Sequence, residues 1–206
     1  MAAHCYQRLE LRGWTEDPEA TRHSSVDLAR QALRVSPDDP NVLAIVAFVL
    51  GYFGEDIDVA IGLIDHCLTL NPCFAAGWHW SGLLRVFAGQ PDLALEHFGT
   101  YLRFNPRDRP APYLNSIGEA YLFGRRFDEA AVNLRASLER APGFPITYRV
   151  LASCFVHMGR VDDARQIIGR LRAITPVVME PATRYRNLEL RELFLSGLRL
   201  AVSEVD

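Results

Sequence analysis

The chain has 206 residues, of which 49% are hydrophobic and 23% are charged, and its formal net charge is -3 at pH 7. This composition excludes a disordered tail and a low-complexity linker. The slightly acidic charge argues against a dedicated nucleic-acid binder, because such domains carry a clustered basic surface. The longest apolar stretch, residues 42–53, is shorter than the about 20 residues of a membrane-spanning helix, so we expect no membrane partner.

The first residues and the cysteines predict a cytoplasmic protein without a cofactor. No apolar signal-peptide core follows Met1. No pair of cysteines has the two-residue spacing of a zinc knuckle or a redox dithiol. We therefore expect no metal site, and free thiols that fill small apolar spaces. The cysteines are Cys5, Cys67, Cys73 and Cys154.

Five prolines recur along the chain at separations of 35, 34, 36 and 34 residues. They are Pro37, Pro72, Pro106, Pro142 and Pro176. Each follows an amphipathic run, and the last four have an alanine twelve residues earlier: Ala60, Ala94, Ala130 and Ala164. Such a period indicates stacked helix pairs, because one pair cannot bury its apolar face alone.

The period, the alanine and the closing proline resemble the tetratricopeptide repeat. The third repeat matches that pattern best, through Trp78, Gly82, Gly89, Ala94, Phe98 and Pro106. The fourth has Gly118, Tyr121, Phe127, Ala130 and Pro142, with Gly124 one place early, and the fifth has Tyr148, Ala152, Gly159, Ala164 and Pro176. The resemblance implies an all-α fold, a superhelical solenoid of antiparallel helix pairs with a C-terminal capping helix.

The register predicts one continuous solenoid domain. Residues 1–40 form a degenerate first pair, with helix A near residues 2–13 and helix B from about Ser25 to Ser36. Asn187 is expected to cap the last helix, which lies within residues 185–203. Residues 177–184 are a non-repetitive link. The four regular repeats within 41–176 lie at about 41–74, 75–108, 111–144 and 145–178.

Local signals support this register. Gly89 and Gly159 stand where helix A must end, since glycine accepts the left-handed conformation of a C-cap. Gly82 and Gly118 leave room for two helices to approach closely. Residues 42–53 are rich in β-branched and aromatic side chains and could form a strand, but the register places them on helix A of the second repeat.

In this family the A helices line a concave groove, which binds a protein or peptide partner. The inward positions in this chain are Ile45, Val49, Tyr52, His79, Leu83, Val86, Asn115, Glu119, Leu122, Arg149, Ser153 and Val156. An amphipathic helix or an extended peptide with one charged flank would suit them. Arg149 is the best candidate to pair with a carboxylate, and Asn115 could bond to a peptide backbone. Ile45 and Val49 replace polar residues of the groove that binds chaperone tails, which argues against that ligand.

The whole chain also resembles the C-terminal region of bacterial class III adenylate/guanylate cyclase-like proteins. That resemblance implies a regulatory or protein-binding tail, without cyclase activity of its own. It rests on residues 13–18, 28–33, 36–40, 68–72 and 193–199.

No phosphate-binding loop, nucleophile elbow or metal motif is present in the sequence. We therefore expect a non-catalytic interaction module. The alternative is a regulatory part of a cyclase or transcriptional-regulator system that acts in trans. Apolar residues cover more than one face of the last helix, so this helix either joins two copies in a homodimer or only caps the fifth repeat with some leucines exposed.

Overall fold

The computed structural model describes Cys5 and residues 17–107, 109–180 and 182–203. All the regular structure in this part of the chain is helical, which confirms the all-α prediction and the helical interpretation of residues 42–53. The elements are α1 (Pro18–Val35), α2 (Pro40–Tyr52), α3 (Ile57–Leu70), α4 (Ala75–Ala88), α5 (Pro91–Phe104), α6 (Ala111–Phe123), α7 (Phe127–Arg140), α8 (Pro145–His157), α9 (Val161–Arg172) and α10 (Leu188–Val202).

Helix α1 begins earlier than the sequence predicted, at Pro18 instead of about Ser25. Asp17 caps it, since its side chain accepts a hydrogen bond from the Ala20 N–H at 3.0 Å. Proline suits the first helical position, because an N–H there would have no partner within the helix and the fixed φ of proline is already helical. Except for Cys5, the predicted helix near residues 2–13 lies outside the described residues.

The chain forms two compact units, Met1–Arg107 and Asp108–Asp206. In the N-terminal unit α2 pairs with α3 and α4 pairs with α5, while α1 packs on α2. In the C-terminal unit α6 pairs with α7 and α8 pairs with α9, and α10 packs on α8 and α9. The predicted repeat bounds stay a prediction. The single continuous solenoid domain stays a prediction.

The helix ends have local chemical causes. The Asp39 carboxylate accepts from the Asn41 N–H at 2.8 Å, and the Asp56 carboxylate from the Asp58 N–H at 3.0 Å. The predicted cap at Asn187 is confirmed, because its side chain accepts from the Leu190 N–H at 3.1 Å. Gly89 ends α4 in the left-handed conformation with φ 84°, as predicted.

Small residues set the distance between paired helices. A Cβ added at Gly82 would lie 2.5 Å from the Phe98 ring, and one added at Gly118 would lie 2.5 Å from the Leu134 side chain. The second repeat has Phe48 at the corresponding position. Its ring stacks on Trp80 with centroids 5.8 Å apart, so a large residue bridges α2 and α4 there.

Helix α8 is the core of the C-terminal unit. Every residue from Pro145 to Phe155 is buried, because α6, α7, α9 and α10 all pack against it. Because α8 is enclosed on several sides, its polar side chains contact neighbouring segments. Each buried polar group there needs a hydrogen-bond partner. This enclosure positions the polar side chains of the candidate site.

Candidate partner-binding face

The predicted inward residues of α6 and α8 define a surface that we call the A-helix face of the C-terminal unit. Five of these six are buried: Asn115, Glu119, Leu122, Arg149 and Ser153, whereas Val156 is half-buried. The sequence predicted that these residues line a groove that binds a partner. Instead, residues that follow α9 and the helix α10 contact this face, and five of the six side chains are shielded from solvent.

Arg149 binds the chain's own non-helical segment that follows α9. Its Nε donates to the Val178 carbonyl at 3.0 Å and its Nη2 to the Val177 carbonyl at 2.6 Å. Its Nη1 donates to the Glu180 carboxylate at 3.3 Å. Arg149 therefore pairs with a carboxylate of its own chain. Its role toward a partner stays a prediction.

Glu180 is held by two arginines, because Arg184 also donates to its carboxylate. Burial opposes ionisation of Glu180, but Arg184 and Arg149 more than offset that effect and hold its pKa below the ordinary value. The carboxylate is therefore charged at neutral pH. This charge keeps the segment on the A-helix face.

A second polar contact joins the same segment to α6. The Tyr185 hydroxyl donates to Glu119 at 3.0 Å, and the Asn115 amide donates to the other carboxylate oxygen at 2.6 Å. Burial raises the pKa of Glu119 and raises the pKa of Tyr185 well above its ordinary value. The Tyr185 ring also packs edge-on against Phe123, with centroids 4.8 Å apart.

Helix α10 closes the remaining part of the face. The Ser153 hydroxyl donates to the Leu193 carbonyl at 3.5 Å, and His157 Nε2 lies 2.7 Å from the same oxygen. A Cβ at Gly197 would lie 2.4 Å from the Ser153 Oγ, so only glycine allows this approach. The C-terminal helix thus packs on the fifth repeat, as predicted. Its homodimer contact stays a prediction.

We call residues 177–180 and 182–187 the strap. The sequence interpretation treated this stretch only as a non-repetitive link, and it missed the contacts that the strap makes. One signal was available, namely a single glutamate, Glu180, that follows the apolar run Val177 to Met179 and could pair with Arg149.

In the N-terminal unit the predicted inward residues fall into two groups. Val49, Tyr52 and Val86 are buried, whereas Ile45, His79 and Leu83 are half-buried. His79 lies beside the rings of Phe98 and Tyr101, with centroids 5.8 and 5.6 Å away. Burial lowers the pKa of His79 to about 4, so its ring is neutral at pH 7. These six side chains are therefore uncharged at neutral pH.

A buried arginine joins three helices of this unit. Arg85 donates to Asp65 at 2.9 and 3.1 Å and to the Ser81 hydroxyl at 2.7 Å. His97 Nδ1 lies 3.0 Å from the same hydroxyl. Burial, together with the nearby Arg85 charge, lowers the pKa of His97 to about 4. This cluster connects α3, α4 and α5, and half-buried His97 packs within it.

Within the described ranges, none of the helices combines the length and the apolar character needed to cross a membrane. The same residues contain no group of three or more histidine, cysteine or acidic side chains placed to hold a metal ion. Cys67 and Cys154 are buried free thiols, whose sulfurs lie 3.1 and 3.2 Å from the carbonyl oxygens of Pro40 and Phe127.

Comparison with known proteins agrees with the helix pairs. Residues 124–188 match the model of a tetratricopeptide repeat family. A thermophilic tetratricopeptide repeat protein of Thermus thermophilus, TTC0263, is 22% identical with a TM-score of 0.66, and the match covers 96% of this chain and 100% of that one. We found no match to this sequence among curated proteins.

Two further solved structures share the fold. The type IV pilus biogenesis factor PilW is 18% identical with a TM-score of 0.66, over 97% of this chain and 87% of that one. YrrB, a repeat protein with an unusual peptide-binding site, is 18% identical with a TM-score of 0.53, over 84% of this chain and 90% of that one. Residues 124–188 therefore match a tetratricopeptide repeat family, and the chain shares the fold of these solved structures.

Proposed function

We propose that the chain is a non-catalytic interaction module that binds a protein or peptide partner. The observation that supports this most is the contact of Arg149 with the Val177 and Val178 carbonyls, because it is a main-chain contact of the kind that holds an extended peptide. Helix α8 therefore carries an arginine suited to peptide recognition.

The partner contacts that we propose first lie in the N-terminal unit. Ile45, His79 and Leu83 are half-buried and uncharged at neutral pH, and Trp80 beside them is also half-buried. Partly exposed aliphatic and aromatic side chains are typical of the centre of a binding surface. We therefore expect an apolar partner surface, such as one face of an amphipathic helix.

Arg149→Glu with Asn115→Ala is not a clean test of the predicted groove. Because both side chains are buried in contacts with the strap and α6, these substitutions would disturb the C-terminal unit itself. A cleaner test is Leu83→Glu, with Leu93→Glu as its control. Leu93 lies on α5 and is 37% exposed, so the control adds the same charge on another helix.

The wild type and both variants are immobilised as full chains and used for affinity capture. Mass spectrometry then compares the proteins that each of them retains. We expect a protein that the wild type and Leu93→Glu retain and that Leu83→Glu loses at least tenfold. Equal loss in both variants, or no reproducible protein on the wild type, would contradict the proposal. Circular dichroism confirms that both variants keep their helices.

The regulatory role in a cyclase or transcriptional-regulator system is a finer hypothesis that rests only on the sequence resemblance. A cyclase or winged-helix domain encoded directly upstream would support it, and unrelated neighbours would count against it. The cytoplasmic location likewise stays a prediction.

A further inference from the structure

The first half of the strap contacts α8 largely through its main chain, as a bound peptide would. Arg149 binds two consecutive carbonyls, of Val177 and Val178, together with the carboxylate of Glu180. None of these three contacts uses the side chains of Val177 or Val178. A guanidinium with this set of acceptors can hold any extended segment that places a carboxylate two or three residues after the bound carbonyls.

The two halves of the strap are held unequally. Ala182, Arg184 and Tyr185 are buried, and Tyr185 is only 1% exposed. In the first half, Val177 and Met179 are 48% and 38% exposed. The first half is held on the face by Arg149 and, through the Glu180 carboxylate, by Arg184.

We propose that the A-helix face at Arg149 is a binding site for an extended peptide that carries a glutamate, and that residues 177–180 are its resident occupant, which such a peptide displaces. This inference rests on the proposed interaction function and assigns it a second, separately testable site. Arg149 binds the main chain and the carboxylate of the incoming peptide. Arg184, which stays anchored beside Tyr185, supplies the second guanidinium.

The resident segment competes strongly with any free peptide. Helix α9 ends at Arg172, so four residues separate it from Val177. A tether this short gives an effective concentration on the order of millimolar. A change that loosens the resident segment without altering Arg149 should therefore tighten the binding of a free peptide, because a larger fraction of the sites is open.

The test uses a fluorescein-labelled, C-terminally amidated peptide with the sequence of residues 174–180, Ile-Thr-Pro-Val-Val-Met-Glu, and full-length protein. Fluorescence anisotropy measures its affinity for the wild type and for Glu180→Gln, which removes only the resident carboxylate. We expect the peptide to bind Glu180→Gln at least tenfold more tightly than the wild type. A peptide with glutamine in place of its glutamate should lose that gain.

Two controls keep the result specific. Glu189→Gln removes an acidic residue of α10 that pairs with Arg125 at 3.0 Å, away from Arg149, and should bind the peptide as the wild type does. Adding Arg149→Gln to Glu180→Gln should abolish binding. Pro176→Gly loosens the tether outside the face and should also tighten binding, which covers the case in which Glu180→Gln fails to fold.

The proposal is overturned if the peptide binds none of these variants at millimolar concentration, or if Glu180→Gln and Glu189→Gln bind it equally. The strap would then be a fixed part of the C-terminal unit. Such a result leaves the capture experiment with Leu83→Glu unaffected. Conversely, if no partner is captured but the peptide still binds, only the site in the N-terminal unit is contradicted.

Discussion

One residue with a positive φ follows helix A in each of the four regular repeats. Three of these residues are glycines, Gly54, Gly89 and Gly159, with φ of 69°, 84° and 74°. In the fourth repeat the glycine stands one place early, at Gly124, and Arg125 takes the left-handed position with φ 56°. A side chain in this conformation costs about 1 kcal/mol relative to glycine.

Arg125→Gly should therefore raise the free energy of unfolding by about 0.5–1 kcal/mol, measured by urea denaturation. The lost ion pair with Glu189 offsets little, because both side chains are more than half exposed, at 58% and 76%. Gly159→Ala is the opposite control: no atom lies within 4 Å of the added Cβ, so a loss of about 1 kcal/mol would measure backbone strain alone. A destabilised Arg125→Gly would contradict this account.

Among the paired helices, Gly82 of α4 sets the approach to α5. Gly82→Ala places a Cβ 2.5 Å from the Phe98 ring, which must move within a packed core, at a cost of about 1–3 kcal/mol. Gly99→Ala on α5 is the matched control, because nothing lies within 4 Å of its Cβ and the residue is exposed. The control should gain up to about 1 kcal/mol from helix propensity. Equal changes in stability for Gly82→Ala and Gly99→Ala, measured by thermal unfolding, would contradict the role of Gly82 in the close approach of α4 and α5.

The packing of α10 depends on a similar contact. Gly197→Ala would meet the Ser153 Oγ at 2.4 Å and His157 Nε2 at 2.9 Å, so α10 must shift away from α8. We expect faster hydrogen exchange in α10 and a loss of about 1–3 kcal/mol, with α2 unchanged as the internal reference. Unchanged exchange in α10 would mean that Ser153 and His157 yield without cost.

The sequence predicted the regular helices well, because stacked pairs repeat the same small residues and the same prolines. Gly82 predicted a close approach of two helices, Gly89 a left-handed helix end and Asn187 a helix N-cap, and the structure contains all three. The strap escaped prediction because Arg149 holds it through main-chain carbonyls, which leave no periodic trace in the sequence. The candidate face stays a prediction, and its contacts with residues 177–180 and 182–187 were not foreseen.

Across the whole molecule, two histidines and two glutamates with shifted pKa values lie in different units. The N-terminal unit contains His79 and His97, whose pKa values fall to about 4. In the C-terminal unit the pKa of Glu180 is lowered, whereas that of Glu119 is raised. A histidine with a lowered pKa loses stability as the pH falls from about 6.5 toward 4, because the unfolded state binds the proton first. Glu180 keeps its contribution until the pH falls below its unfolded value of about 4.5.

Acidification from pH 7 to pH 5 should therefore weaken the N-terminal unit first. Protonation of His79 alone should cost about 1–2 kcal/mol at pH 5. Hydrogen exchange, corrected for intrinsic rates, should show reduced protection in α4 and unchanged protection in α8. His79→Phe should remove part of the pH dependence, while His23→Gln, at an exposed position on α1, should not. Equal loss of protection in α4 and α8 would contradict the assignment.

The hydrogen bonds from Arg149 to the Val177 and Val178 carbonyls also affect how this protein can evolve. Selection has little to act on at positions 177 and 178, where any residue that tolerates an extended backbone supplies the same acceptors. Positions 149 and 180 carry complementary charges instead, so drift at one is harmful without a matching change at the other. Homologues should accordingly vary freely along the Val-Val pair, and should keep or abandon the arginine and the glutamate together.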